Sequence, residues 1–470
     1  MACVDAPSLR ASVGALTAPG FLHDPVASVR YTDLAHGTIF GGRLAEFAGR
    51  SVLLACGGQL ISALALIELD GVARRIVILP PDVERKHVPA IAATAGIDAA
   101  VTDAAVTDAA VTDAETDIGA MPDIATCVVV ESRITPQPDV LPAVSTEWLM
   151  LTSGTTGVPK LVVHSLAGLT AAIRARSAAD GAAVWATFYD IRRYGGLQML
   201  LRALLGGASL VLSSASEPVA AHLARLKAHN ISHLGGTPSH WRRALTSPAI
   251  HGIAPRYVRL SGEIADQAIL DALRAAFPHA AIGHAYASTE AGVAFDVNDG
   301  RAGFPASYVG AVRDGVEMKV TDGTLRIRSP RMAVRYAGND NALAGTDGFV
   351  DTGDIVELRG DRYYFAGRRG GIINIGGLKV HPEEVEAVIN RHPSVRMSLV
   401  RRRQSPVTGS VVVADVVLKA DARGGNGREI ALKDDILKFC HAELPRHKVP
   451  AAISFVAALN VAATGKLARR

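Results

Sequence analysis

Apolar positions in the first 130 residues fall into short unbroken runs separated by Ala-rich stretches. Residues 51–55 (SVLLA) and 75–79 (RIVIL) are apolar segments of strand length, and residues 59–69 between them read as a helix. A strand, a helix and a second strand in that order predict parallel pairing. Further strands are predicted at 147–152 (EWLMLT), 184–188, 209–212, 257–260 and 281–286, with helices at 164–176, 219–229 and 264–277. Strand and helix alternate to about residue 300, which predicts a layered α/β body.

The texture changes at residue 313. Residues 316–320, 324–328, 355–359 and 362–365 alternate with period two between Asp- and Gly-containing turns, and so predict a β-rich subdomain. After Gly367, helices at 383–391 and 428–443 mix with strands at 397–401, 410–418 and 452–455. The expected fold class is therefore α/β: a large N-terminal domain of layered α/β subdomains plus a β-rich subdomain, and a small C-terminal α+β domain. The expected division is 1–367 and 368–470, with the GRRGG stretch at 367–371 as the candidate hinge. Residues 99–113 repeat AAVTD three times; a period of five is too short for a solenoid unit, so a surface loop or strand end is expected there.

Charge removes some functions. A net charge of +4 from 49 basic and 45 acidic residues, without a Lys/Arg block, gives no nucleic-acid footprint. The Arg run at 401–403 reads as solvated surface. Cys3, Cys56, Cys127 and Cys440 are far apart and show neither metal-ligand spacing nor a disulfide framework, so a reducing cytoplasm is the expected compartment. Residues 1–10 lack a basic region followed by an apolar run, so no signal peptide is expected. The most apolar window, 51–69, contains Glu68 and precedes Asp70; a buried helix is expected rather than a membrane span.

Residues 151–160 (LTSGTTGVPK) place hydroxyls, two glycines and a lysine in a predicted turn between a strand and a helix. Glycines let backbone N–H groups approach phosphate oxygens, hydroxyls add donors and Lys160 adds charge. Gly154 and Gly157 are three apart and Pro159 precedes the lysine, so the pattern is not a P-loop. By composition alone, a phosphate site and an ordinary flexible turn both remain open.

The stretch resembles the signature loop of the adenylate-forming superfamily, in particular its acyl- and aryl-CoA synthetase branch. Four further stretches match in the family's order: 286–292 (YASTEAG), 347–354 (DGFVDTGD), Gly367-Arg368 with 375–386 (IGGLKVHPEEVE), and Thr464-Gly465-Lys466. The resemblance implies ATP, Mg²⁺ and coenzyme A as co-substrates and cofactor. It implies that Thr152, Ser153, Gly154, Thr155, Thr156, Gly157 and Lys160 hold the β- and γ-phosphates. Thr289 is implied at the α-phosphate and Glu290 on Mg²⁺, a hard cation that takes oxygen ligands. Tyr286 is implied against adenine, with Gly262 and Glu263 in the same pocket, and Asp354 and Arg368 on the ribose. Lys466 is implied as the mobile cation bridging carboxylate and α-phosphate, and Gly376, Gly377 and Lys379 as the thiol-acceptor loop. Taken singly, Tyr286 could equally be a core aromatic, Asp354 a turn cap and Glu290 a first-turn helix residue.

Three positions depart from the family pattern: Leu161 and Ala287 stand where Gly is usual, and Gly370 where a hinge Asp or Lys is usual. Glycine still permits rotation there. The small domain is expected to swing between two half-reactions, presenting the Lys466 region in one and residues 376–379 in the other.

Residues 188–211 fall where the family builds one wall of its acid pocket. Tyr189, Tyr194, Gly235, Gly236, Ala291 and Gly292 are the pocket candidates. Asp190 invites an amine-binding role, but counting back from Gly207-Ala208-Ser209-Leu210 puts Tyr194 at the family's position; solvent, Arg192 or Arg193 is the expected partner of Asp190. Small lining residues favour a medium acyl or aromatic carboxylic acid. The expected activity is acid–CoA ligation through acyl-AMP. The alternatives are a stand-alone enzyme loading a separate carrier protein, since no carrier segment follows Lys466, and a catalytically silent binding protein.

Overall fold

A computed structural model describes residues 8–15, 20–103, 118, 121, 124–136, 143–152, 159–173, 183–338, 342–375, 378–405, 409–422, 424, 426–462 and 465–469. Ser153, Gly154, Thr155, Thr156, Gly157, Gly376, Gly377, Thr464 and the second and third AAVTD copies lie outside the described residues.

Two large sheets carry the body. In the first, Ser51–Ala55, Arg75–Ile78, Ala99–Asp103, Thr126–Val130 and Glu147–Thr152 pair in parallel, and Lys160–Ser165 adds antiparallel beside Glu147–Thr152. In the second, Phe21–His23, Ser209–Val211, Val184–Thr187, His233–Gly236, Tyr257–Ser261 and Ala281–Ser288 run parallel in that spatial order, and Gly292–Val297 closes one edge antiparallel. The helices Gln59–Leu69 and Tyr194–Leu205 join the sheets through one core that includes Leu54, Ile78, Leu64, Leu201 and Leu210. Gln59–Leu69 is buried at every position but Ile61, as expected of a helix that is apolar all round. The strand Ser51–Ala55 is buried throughout, because parallel sheets of this type are covered on both faces.

The β-rich part is a six-stranded antiparallel sheet that includes Val316–Thr321, Thr324–Arg328, Val350–Arg359 and Arg362–Arg368. Beyond it, Val395–Ser405 and Gly409–Leu418 pair antiparallel and Ala452–Phe455 adds parallel, packed on Pro382–Ile389 and Asn426–Glu443. This last part has a core of its own, drawn from Ile373 to Ile453. The layered α/β body, the β-rich part and the small α+β unit follow the order expected from the sequence.

Two local expectations need correction. Residues 164–165 belong to the strand Lys160–Ser165, and the helix is only Leu166–Thr170. Val162 and Val163 pair with Met150 and Leu149, so Glu147–Thr152 and Lys160–Ser165 form an antiparallel pair and not a strand followed by a helix. Ser165 then caps the helix, its Oγ accepting the Gly168 amide at 3.1 Å. The first AAVTD copy is no surface loop: Ala99–Asp103 is a strand buried at every position between Ser51–Ala55 and Thr126–Val130. Its Asp103 accepts the Gly57 and Gly58 amides at 2.9 and 2.8 Å, just ahead of the helix Gln59–Leu69. Among the described residues no helix is long and apolar enough to cross a membrane.

Candidate active site

The ribose-side candidates converge on one carboxylate. Asp354 lies on Val350–Arg359, opposite Arg368 on Arg362–Arg368. The Arg368 Nε donates to Asp354 Oδ1 at 3.0 Å, and the Tyr286 hydroxyl donates to Oδ2 at 2.5 Å. The Tyr286 ring runs parallel to Phe365 (centroids 5.2 Å, 8°) and to Phe295 (5.7 Å, 16°). Burial first, then the Asp354 charge, pushes the phenol's pKa well above its ordinary value, so Tyr286 stays a donor.

Lys466 reaches the body from the far end of the chain. Its Cε lies 3.5 Å from where a Cβ on Gly262 would stand, and Gly262 has φ +88°. Three contacts fix the backbone around it. Thr237 Oγ1 donates to the Gly465 carbonyl at 2.6 Å. Glu263 Oε1 accepts the Leu467 amide at 2.9 Å. Arg469 forks onto Glu386 on the small unit at 2.8 and 2.6 Å. Gly465 (φ +74°) packs on His240 so closely that a Cβ would fall 2.0 Å from the ring, so no side chain fits. Lys466 stays open to solvent in the cleft, yet protein surrounds it. That desolvation lowers its pKa, Arg368 lowers it further, and Glu263 and Asp354 oppose the shift.

Glu263 was expected beside adenine. Its carboxylate is occupied: besides Leu467 it accepts the Ser239 amide at 2.9 Å and the Ser239 hydroxyl at 3.0 Å. It therefore acts on Lys466 by holding the backbone next to it.

Glu290 and Thr289 sit in the turn between Ala281–Ser288 and Gly292–Val297. The Glu290 carbonyl accepts the Ala333 amide at 2.9 Å. Its carboxylate makes no hydrogen bond or ion pair among the described residues, and its charge is felt by both Tyr336 and Arg368. Lys160 stands with its Nζ 5.4 Å over the Tyr336 ring. A carboxylate without a protein partner among the described residues fits Mg²⁺, which keeps several waters and takes one or two carboxylates together with phosphate oxygens. Among the described residues no cluster of three His, Cys, Asp or Glu side chains competes as a metal site. Beneath the Thr289 turn lies His164, buried, its pKa lowered to about 4 by burial, with the Thr289 backbone opposing.

Tyr189 and Tyr194 line one pocket together with Ala287 and Val293. The Tyr189 hydroxyl donates to the Ser261 carbonyl at 2.9 Å. Gly235 lies against Tyr189 and Met199; a Cβ there would fall 2.7 Å from the Met199 Sδ. Gly236 faces Phe188, His240 and Trp241 instead. Ala291 is fully buried in the β-rich core, and Gly292 (φ +74°) allows the Arg331 carbonyl to approach to 2.2 Å of a would-be Cβ. Asp190 is bound by Arg192 at 2.6 Å. Leu161, the first departure, is a core residue on Lys160–Ser165, and Ala287, the second, lines the pocket of Tyr189 and Tyr194. Lys379 is exposed on the hairpin Ile373–Ile375 and Leu378–Val380. Gly370 has open space around it and an ordinary φ.

Residues 59–333, more than half of the chain, match the model of the AMP-binding enzyme, and residues 384–466 match its C-terminal domain. A 4-coumarate–CoA ligase of Oryza sativa subsp. japonica is 26% identical over 389 residues, which cover 76% of this chain and 64% of that protein. This chain spans less than two thirds of the length of the first curated relatives it matches. Among solved structures, an anthranilate CoA ligase in complex with anthranoyl-AMP superposes with a TM-score of 0.82 at 18% identity, over 99% of this chain and 97% of that one. A benzoate CoA ligase from Burkholderia xenovorans LB400 superposes with 0.78 at 20% identity, over 98% and 99%. Those structural likenesses establish the fold, the first model spans Gly262, Tyr286 and Glu290 while the second reaches Lys466, and the chain belongs to the AMP-binding enzyme family.

Proposed function

We propose that the protein is an ATP-dependent, AMP-forming acid–CoA ligase acting on a medium acyl or aromatic carboxylic acid. The observation that carries this reading is the seat of Lys466 against Gly262, in reach of the charges of Asp354 and Arg368. A lysine drawn from the chain end into a cleft with a free carboxylate has a catalytic use and little structural one.

In the first half-reaction a carboxylate oxygen attacks the α-phosphorus of ATP, forming acyl-AMP and releasing pyrophosphate. Thr152, Ser153, Gly154, Thr155, Thr156, Gly157 and Lys160 take the β- and γ-phosphates. Glu290 would hold Mg²⁺, whose charge offsets that of the phosphate oxygens. Thr289 donates at the α-phosphate. Tyr286 walls the adenine, while Asp354 accepts and Arg368 donates at the ribose. Lys466 places positive charge where the carboxylate and α-phosphate approach, and so favours the transition state over the separated anions. In the second half-reaction the thiol attacks the acyl carbon and AMP leaves; the loop of Gly376, Gly377 and Lys379 serves that acceptor after the small unit turns on the stretch 367–371. A cytoplasmic setting supplies ATP and CoA.

Incubation with ATP, Mg²⁺, mixed acids and free CoA tests the acceptor. An acyl-CoA product together with AMP is expected. Accumulation of acyl-AMP without thioester would replace CoA with another acceptor, such as a carrier protein.

A further inference from the structure

The helix Tyr194–Leu205 reads YGGLQMLLRALL, and Arg202 is its one charged residue. Tyr194, Gln198 and Arg202 are spaced by four, which stacks them on one face. All three line the pocket that holds Tyr189 and Ala287. An arginine on an otherwise apolar helix facing an enclosed space needs a partner. Arg202 has none by hydrogen bond or ion pair among the described residues. The charged groups around it are Arg259, Arg331 and Asp296. The Asp296 carboxylate already pairs with Arg259, and Arg331 spends its Nη atoms on the Val293 and Asp314 carbonyls, each at 3.0 Å. Asp296, the carboxylate near Arg202, is thus already engaged by Arg259.

A second side chain points the same way. Gln198 is 7% exposed, and its Nε2 donates to the Leu169 carbonyl at 2.9 Å. That bond sets the amide's orientation and leaves Oε1 buried without a donor. A buried acceptor beside an unpaired guanidinium is a polar end built into a pocket otherwise lined by Tyr189, Tyr194, Met199, small side chains and the paired Arg259. Solvation of the arginine head alone explains Arg202 but leaves Gln198 unsatisfied.

We propose that the acid this enzyme activates is a dicarboxylic acid, one carboxylate reacting near Lys466 and the second held by the Arg202 guanidinium. The proposal rests on the ligase reading above. Guanidinium and carboxylate match as two parallel charge-assisted hydrogen bonds, and the second charge pairs the Arg202 cation. Gln198 Oε1 accepts from a hydroxyl or water beside that carboxylate. Burial and the neighbouring Arg259 both lower the Arg202 pKa, so a bound anion there gains from a cation that is poorly compensated in the empty pocket.

The test is acid-dependent ATP–pyrophosphate exchange with malonate, succinate, glutarate, adipate and the three benzenedicarboxylates, each beside its monoamide, which keeps the skeleton and removes one charge. At least one dicarboxylate is expected to exceed its monoamide in kcat/KM on the order of 100-fold. Arg202→Met brings that ratio near one, and Arg202→Lys restores part of it. Monoamides that equal or exceed every dicarboxylate, or an unchanged ratio in Arg202→Met, overturn the proposal. If no acid in the panel or among simple monocarboxylates supports exchange, the ligase reading fails. Calorimetric titration of the same pairs then reads the pocket alone: dicarboxylate binding lost in Arg202→Met upholds the charge site, and absence of dicarboxylate binding to the wild type overturns it.

Discussion

Glu263 and Leu467 lie 204 positions apart and share a hydrogen bond, the Glu263 Oε1 accepting the Leu467 amide at 2.9 Å. The same carboxylate is anchored by Ser239 at the start of the helix Pro238–Ala244. Lys466 is therefore held by its backbone, with its side chain left to reach the reacting groups. Glu263→Ala is expected to lower the adenylation kcat about 10- to 100-fold, the loss of one charge-assisted bond and of the orientation it gives. ATP affinity stays within a few-fold, because the ribose and phosphate groups are untouched. A large loss of ATP binding with kcat preserved would return Glu263 to the nucleotide pocket.

Tyr286 donates to the carboxylate that is assigned to the ribose. Tyr286→Phe keeps the stack with Phe365 and removes only that bond, so the KM for ATP is expected to rise about 5- to 20-fold. Asp354→Ala, which also leaves Arg368 unpaired, is expected to cost more than Tyr286→Phe. Steady-state kinetics with ATP varied checks both; an ATP KM unchanged in Asp354→Ala would take Asp354 out of the ribose site.

His164 is buried beside the Thr289 backbone. In the folded protein it takes up a proton only near pH 4, whereas the unfolded chain does so near 6.5. Between those values the unfolded state holds more protons, so stability falls as the pH drops through that window. The loss from this residue is about 2 kcal/mol at pH 5. Urea unfolding at pH 7 and pH 5 is expected to show a smaller drop in His164→Leu than in the wild type. Equal drops would mean that His164 is protonated in the fold.

Most of the strands were legible because their patterns are local. Ser51–Ala55 is an unbroken apolar run, and Thr324–Arg328 alternates. Lys160–Ser165 was misread because its pairing partner is Glu147–Thr152, on the other side of the Gly-rich stretch, and a short Val-Val stretch says little without that partner. The first AAVTD copy owes its burial to strands before and after it in the chain, which the repeat itself conceals. At the site, the family resemblance pointed to Tyr286, Asp354, Arg368 and Lys466, of which the first three meet by hydrogen bonds, but the position of Glu263 depends on a contact 204 residues away. His240 escaped notice for the same reason: it meets Gly465 only in the folded chain. Arg202 did leave a local signal, a single cation in an apolar helix, and the pocket gave that signal its meaning.

The account's central claim is that Lys466 serves adenylate formation. Acid-dependent ATP–pyrophosphate exchange in wild type and Lys466→Ala, with ATP binding measured separately, tests it most directly. The account predicts exchange in the wild type, a loss of about 100-fold or more in the variant, and ATP binding retained in both. Exchange at the wild-type rate in Lys466→Ala would contradict it.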